Sequence, residues 1–317
     1  MKVKLMMTKV TDKRGEAEFE LWRLKAGARV EAALEKSLSK LDKDQPPEGS
    51  KLIEAMRYAL LGGGKRLRPL LALAAAEAVG GRPREALPAA MAVEMVHAYS
   101  LIHDDLPCMD DDDMRRGRPT CHKVFGEATA LLAGDALLTL SFETFAENGV
   151  KSLEAGRRIN SAAVQLARAA GASGMVGGQV LDLAFENGSA ITIEMVREME
   201  KRKTGELMAA ALVCGAILGG GSPAELRTLR QIGYTAGLAF QIRDDLLNMS
   251  GDPKVLGKAV GSDAARGKAS FPAILGVEGA ERELASLTEK AMAAAASFKL
   301  RGRHLSVLIS HMVHRNM

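Results

Sequence analysis

Apolar residues recur at helical spacing along most of the chain, and no run alternates apolar and polar residues over a strand's length. The first 30 residues are so charged that they read as a frayed or weakly helical tail, followed by an amphipathic helix over 28–41. DKDQPPEGSK is a predicted loop, because Pro46 and Pro47 cannot sit inside a helix. Residues 51–61 read as helix and stop at Gly62, Gly63 and Gly64; helix resumes over 70–79 and stops at Gly80 and Gly81. From residue 87 to residue 105 the chain is apolar almost all round, broken only by Glu94, His97, Ser100 and His103 before the acids, as expected of a central helix. Further helices are predicted over 128–146, 153–170, 193–218 and 223–248, with no internal repeat and no low-complexity segment. The expected fold is all-α: one domain over 31–317, a bundle of roughly ten or more helices joined by short connections.

Composition supports this. Aromatics are 4 % while Ala, Leu and Met are plentiful, which favours helices over strands. A net charge of +4, with scattered basic residues, argues against a nucleic-acid partner. Cys108, Cys121 and Cys214 have neither metal-ligand spacing nor a disulfide framework, which suits a reducing cytoplasm. The opening MKVKLMMTKVTDKRG lacks the apolar core of a secretion signal, and no uncharged apolar run is long enough for a membrane span.

The sharpest feature is DDLPCMDDDD, residues 104–113, at the C-terminal end of the central helix. Burying unpaired carboxylates is costly, and a helix C-terminus repels anions, so acids placed here call for cations. Pro107 breaks the helical ladder, which lets Asp110 loop back toward Asp104. The plain alternative is a solvated acidic loop. The second cluster is FQIRDDLLN, residues 240–248, where Gln241, Asp244 and Asn248 share a helical face, with Asp245 adjacent. The plain alternative there is an exposed helical face, against which the apolar flanks stand. Two acidic pairs in one bundle suit facing Mg²⁺ sites that clamp a diphosphate.

Basic residues alternate with the acids. GGGKRLRP places Lys65, Arg66 and Arg68 after three glycines, with Gly64 able to bring backbone close to a phosphate. This is not a nucleotide-binding P-loop, whose glycine spacing and hydroxyl residue are missing. Arg115 and Arg116 follow the first acidic cluster, Lys203 and Thr204 lie in KTGEL, and Lys258 and Lys268 follow the second cluster. His97 lies two turns before Asp104. Each taken singly has an ordinary reading as a solvated base or a packed core residue.

Together these segments, with EMVHAYSLIHDDLPCMDDDDMRRGRPTCHKVFGEATALLAGDALL, GMVGGQVLDL and GDPKVLGKAVGSDAARGKASFPAILG, resemble the trans-type polyprenyl diphosphate synthases from about residue 52 to residue 317. The pattern is similar to bacterial farnesyl diphosphate synthases and their geranylgeranyl relatives. The resemblance implies a helical fold around a central cavity, a homodimer, and three Mg²⁺ per active site. Asp104, Asp105, Asp110 and Asp244 match metal-binding acids. Arg115, Lys203, Thr204, Gln241 and Lys258 match contacts to the allylic diphosphate. Gly64, Lys65, Arg68, His97 and Arg116 match the isopentenyl diphosphate site. The second motif commonly ends in Asp, and here Asn248 stands instead. The implied reaction ionises the allylic diphosphate, adds isopentenyl diphosphate and eliminates a proton.

Chain length is read at Tyr99, five residues before Asp104 and so about 7.5 Å along the axis at about 1.5 Å per residue, with Ser100 beside it. A bulky ring there can act as a floor. In the resembling family an aromatic at this place accompanies a fifteen-carbon product. The expected product is therefore farnesyl diphosphate, with geranylgeranyl diphosphate the alternative. A class I terpene cyclase would not need the second diphosphate pocket of Lys65, Arg68 and His97. A non-catalytic partner subunit would commonly lose an acidic motif, and a metal hydrolase would place His ligands near the acids, where only His103 is adjacent.

Overall fold

The computed structural model describes residues 13–43, 46–148, 152–186, 191–250 and 269–313. Among the described residues the regular secondary structure is helical except for one two-stranded hairpin. In chain order the α-helices are α1 (Lys13–Asp42), α2 (Ser50–Leu60), α3 (Leu67–Ala78), α4 (Leu87–Asp104), α5 (Cys121–Phe125), α6 (Glu127–Asn148), α7 (Leu153–Ala170), α8 (Met175–Phe185), α9 (Ile193–Glu200), α10 (Glu206–Leu218), α11 (Pro223–Ser250), α12 (Phe271–Ala296) and α13 (Arg303–Val313). Among the described residues no helix is long and apolar enough to cross a membrane.

The core is built around α4 and α10. Every residue of α10 from Leu207 to Leu218 is buried, and α3, α7 and α11 pack around it. Helix α4 lies against α6, α3 and α10, with Ala89, Val93, Val96 and Ile102 among its buried residues. The apolar-all-round pattern of residues 87–105 thus marks a helix covered on every side, which sets its acidic C-terminal end at the mouth of the bundle interior.

Three local expectations are corrected. The N-terminal segment, expected to be frayed or weakly helical over about its first 30 residues, is from Lys13 part of one continuous helix with the stretch expected from residue 28. Its charges lie outside, as in the Glu20–Arg23 pair, while Phe19, Ala26, Val30, Leu34 and Leu38 line one buried face. Trp22 Nε1 donates to Glu77 at 3.0 Å, and the Trp22 ring stacks on His304 of α13 at 4.5 Å, so docking holds a helix that charge alone made look weak. Helix α3 begins at Leu67 instead of residue 70, which places Arg68 in its first turn. The helix expected over 193–218 is interrupted by a π-helical turn, Lys201–Gly205, between α9 and α10. Such turns insert an extra residue into the helical ladder, and this one contains Lys203 and Thr204.

Candidate active site

The first acidic cluster has the loop geometry expected of it. Helix α4 ends at Asp104, and the Asp110 N–H returns to donate to the Asp104 carbonyl at 2.8 Å. Asp104 and Asp110 are half-buried. Asp105 is buried at 3 % exposure and accepts from Arg115 Nε at 2.6 Å. Its carboxylate is thus paired with a guanidinium.

Arg115 and Arg116 sit on a hairpin that periodicity did not reveal. Met114–Arg115 pairs antiparallel with Arg118–Pro119, and Arg116 and Gly117 form the two-residue turn. Both turn residues have positive φ (54° and 73°), as a type I′ hairpin requires. The turn carries Arg116 across to the glycine segment before α3, where its Nη1 donates to the Gly63 carbonyl at 2.5 Å. Gly64 makes room for it: a Cβ there would lie 2.7 Å from Arg116 Nη1, and its φ of +124° disfavours any L side chain.

The basic wall is held by acids that sequence reasoning did not single out. Arg66, itself in a left-handed conformation at φ 49°, caps the start of α3. Its guanidinium pairs with Glu94 at 2.7 Å and with Glu31 of α1 at 2.5 Å. Arg66 is therefore a tether for the segment that presents Lys65, which is exposed, and Arg68, which is half-buried. Burial pushes Arg68 down to about 10, and its Nε has no hydrogen-bond partner among the described residues. Burial likewise lowers Arg116. His97 is held well below its ordinary value, first by burial and then by Arg68 and Arg116, so its imidazole is neutral. Under-solvated cations beside a helix N-terminus form a ready receptor for an anion. Arg66, Glu94, His97, Arg115 and Arg116 line one cavity there.

On the opposite side, Lys203 pairs with Asp182 of α8 at 2.5 Å. Burial alone would lower Lys203, but Asp182 outweighs it and the ammonium is stabilised. The backbones approach closely because Gly178 has no side chain: a Cβ there would fall 2.3 Å from the Lys203 backbone nitrogen. Thr204 Oγ1 lies 3.4 Å from Gln241 Oε1, and Gln241 Nε2 donates to Asp245 at 3.0 Å. The half-buried Asp244 is next along α11, and Ile242 and Leu246 of the same helix are buried, so this acidic face is not a solvated one. Lys203 feels the charge of Asp104, and Arg68 that of Asp244, which ties α3, α4, α11 and the π turn to one interior. Lys258 and Lys268 lie outside the described residues.

The chain as a whole has counterparts among known proteins. A family model described as polyprenyl synthetase covers residues 50–300. The chain belongs to the polyprenyl synthetase family. It is 48 % identical to the farnesyl diphosphate synthase of Bacillus subtilis over 74 % of this chain and 78 % of that one. It is 45 % identical to the chloroplastic geranylgeranyl pyrophosphate synthase 9 of Arabidopsis thaliana over 87 % of this chain and 75 % of that one. The crystal structure of a Helicobacter pylori geranyltransferase complexed with magnesium and isoprenyl diphosphate superposes with a TM-score of 0.78 at 31 % identity, covering 92 % of this chain and 96 % of that one. This member of the polyprenyl synthetase family is a short-chain trans-prenyl diphosphate synthase.

The donor set suits magnesium. Among the described residues no three acidic, His or Cys side chains gather into a ready cage. Mg²⁺ is typically held by one or two carboxylates together with substrate phosphate oxygens and waters, which asks for separate half-buried aspartates such as Asp104, Asp110 and Asp244.

Proposed function

We propose that the enzyme condenses isopentenyl diphosphate with dimethylallyl and then geranyl diphosphate, releasing diphosphate and making farnesyl diphosphate. The observation that carries the fifteen-carbon product is Tyr99. Its side chain is 6 % exposed on α4, five residues before Asp104, and its ring stands edge-on to His103 at 5.6 Å. His103 is in turn fixed by the Leu131 carbonyl at 3.0 Å. A braced ring at that depth supports a floor under the growing chain, with Ser100 beside it bonded to the His97 carbonyl.

Asp104, Asp110 and Asp244 would hold Mg²⁺, which when bound stabilises negative charge on the departing diphosphate. Lys203, kept protonated by Asp182, and Arg115, steadied by Asp105, present fixed positive charge to the allylic diphosphate. Arg68, Arg116, Lys65 and neutral His97 bind isopentenyl diphosphate, with Gly64 admitting the close approach. The apolar faces of α4 and α10 exclude water from the allylic cation. The homodimer implied by the family has apolar surface available to it, since Leu131 and Leu132 of α6 are exposed.

Product analysis with labelled isopentenyl diphosphate and each allylic primer tests the reading. The expected product is C15, and Tyr99→Ala is expected to lengthen it. A wild type that makes mainly C20, or a Tyr99→Ala variant with unchanged product, refutes the floor.

A further inference from the structure

Glu200 is a buried carboxylate that the reaction as described does not use, and it begins a chain of polar contacts that crosses three helices. Its Oε2 lies 3.2 Å from Thr204 Oγ1. Thr204 Oγ1 lies 3.4 Å from Gln241 Oε1, Gln241 Nε2 donates to Asp245 Oδ1 at 3.0 Å, and Asp245 Oδ2 accepts from the Phe271 N–H at 3.2 Å. Glu200 is 7 % exposed and Thr204 is equally buried, so water cannot supply a missing proton freely.

Counting protons along this chain fixes its polarity. The Thr204 hydroxyl has one hydrogen and faces two oxygen acceptors. If Glu200 is ionised, Thr204 can satisfy Glu200 or Gln241, and the other contact sets lone pair against lone pair. Turning the Gln241 amide over relieves that clash only by aiming its carbonyl at Asp245. Among the contacts of the described residues, one added proton, on Glu200 or on Asp245, gives every oxygen pair along this chain a donor. The Phe271 N–H bonded to Asp245 favours charge on Asp245. The proton therefore belongs on Glu200.

We propose that Glu200, in its protonated form, is a positioning residue for the allylic half of the site: its hydroxyl donates to Thr204, which donates to Gln241 and so fixes the orientation of that amide. This rests on the assignment of Thr204 and Gln241 to the allylic diphosphate made above. The charged groups acting on Glu200 agree with it. Burial raises its carboxyl first and Asp245 of α11 raises it further; Lys203 opposes them, Asp182 of α8 raises it again, and the contact with Thr204 lowers it, leaving it at about 8. Neighbouring charges on α9 are spent on other partners, Arg197 on Glu283 of α12 at 3.1 Å and Glu198 on Arg202 at 2.7 Å. When Glu200 ionises, Thr204 turns toward it, Gln241 loses its donor, and a negative charge is added where an anionic substrate must sit.

The test is the pH dependence of kcat/KM for geranyl diphosphate with the full chain. In the wild type it should fall about tenfold between pH 7 and pH 9, as expected when only the protonated form is competent. Glu200→Gln, whose amide donates at every pH, should lose this alkaline fall. Glu200→Ala, which donates at none, should lie well below Glu200→Gln at pH 7. The pH profile for isopentenyl diphosphate should be the same in the wild type and Glu200→Gln. An alkaline fall that persists in Glu200→Gln overturns the proposal. A second measurement needs neither turnover nor a variant: the infrared band of a protonated carboxyl should be present at pH 7 and lost by pH 9 in the wild type, and its absence at pH 7 overturns the proposal. A wild type that makes no condensation product would overturn the functional assignment instead, while the infrared titration still reports on Glu200.

Discussion

Glu94 is the acid on which the cationic wall depends, and Glu94→Gln isolates its role. Arg66 and Glu94 are 6 % and 3 % exposed and lie 2.7 Å apart. Removing one member of a buried ion pair leaves the other charge uncompensated, at about 3 to 5 kcal/mol. The Gln amide keeps one hydrogen bond, and Glu31 still pairs with Arg66 at 2.5 Å, so the low end of about 3 kcal/mol is expected. At roughly 2 °C per kcal/mol for a domain of this size, the melting temperature should drop by about 6 °C. Glu94 also offsets the charge of Arg68 and Arg116, which burial already disfavours. A bound dianion should supply that counter-charge in its place. Thermal unfolding of wild type and Glu94→Gln, with and without saturating inorganic diphosphate, should therefore show a loss in the free protein that ligand largely restores. A melting temperature unchanged by the substitution, or a deficit equally large with diphosphate bound, would refute the reasoning.

Three further outcomes follow from the site. Asp104→Ala or Asp244→Ala should lower turnover by orders of magnitude, and chelator should abolish activity until Mg²⁺ is restored; full activity in excess chelator would end the metal assignment. His97→Ala and Arg116→Ala should chiefly raise the KM for isopentenyl diphosphate, while Lys203→Ala should chiefly impair the allylic half-reaction, and equal effects on both Michaelis constants would merge the two pockets into one. Gly64→Ala should weaken isopentenyl diphosphate binding, because its methyl must displace Arg116 Nη1 from 2.7 Å and sit at φ +124°; an unchanged KM would show that Arg116 can move without loss.

Local pattern in the sequence specifies most of the long helices up to residue 250 and the ends at which the chemistry gathers, but not the helices Met175–Phe185, Phe271–Ala296 and Arg303–Val313. The apolar run of 87–105 is helix α4 to within a residue, 153–170 is α7, and the return of Asp110 to Asp104 follows from Pro107. These are local consequences of helical periodicity and of a broken backbone ladder, so they are legible without neighbours. Tertiary structure alone decided which charge answers which. Asp182 holds Lys203 because Gly178 lets α8 come against the π turn, and Glu94 holds Arg66 because α3 starts early beside α4. Glu200 meets Gln241 through Thr204 only where the π turn packs on α11. Even α1 owes its first turns to Trp22 and Phe19 docking on α3 and α13, residues far away in the chain. Periodicity reports which face of a helix is buried. It carries no record of the partner across the interface, because that is set by how separate helices pack and by the glycines that let them approach.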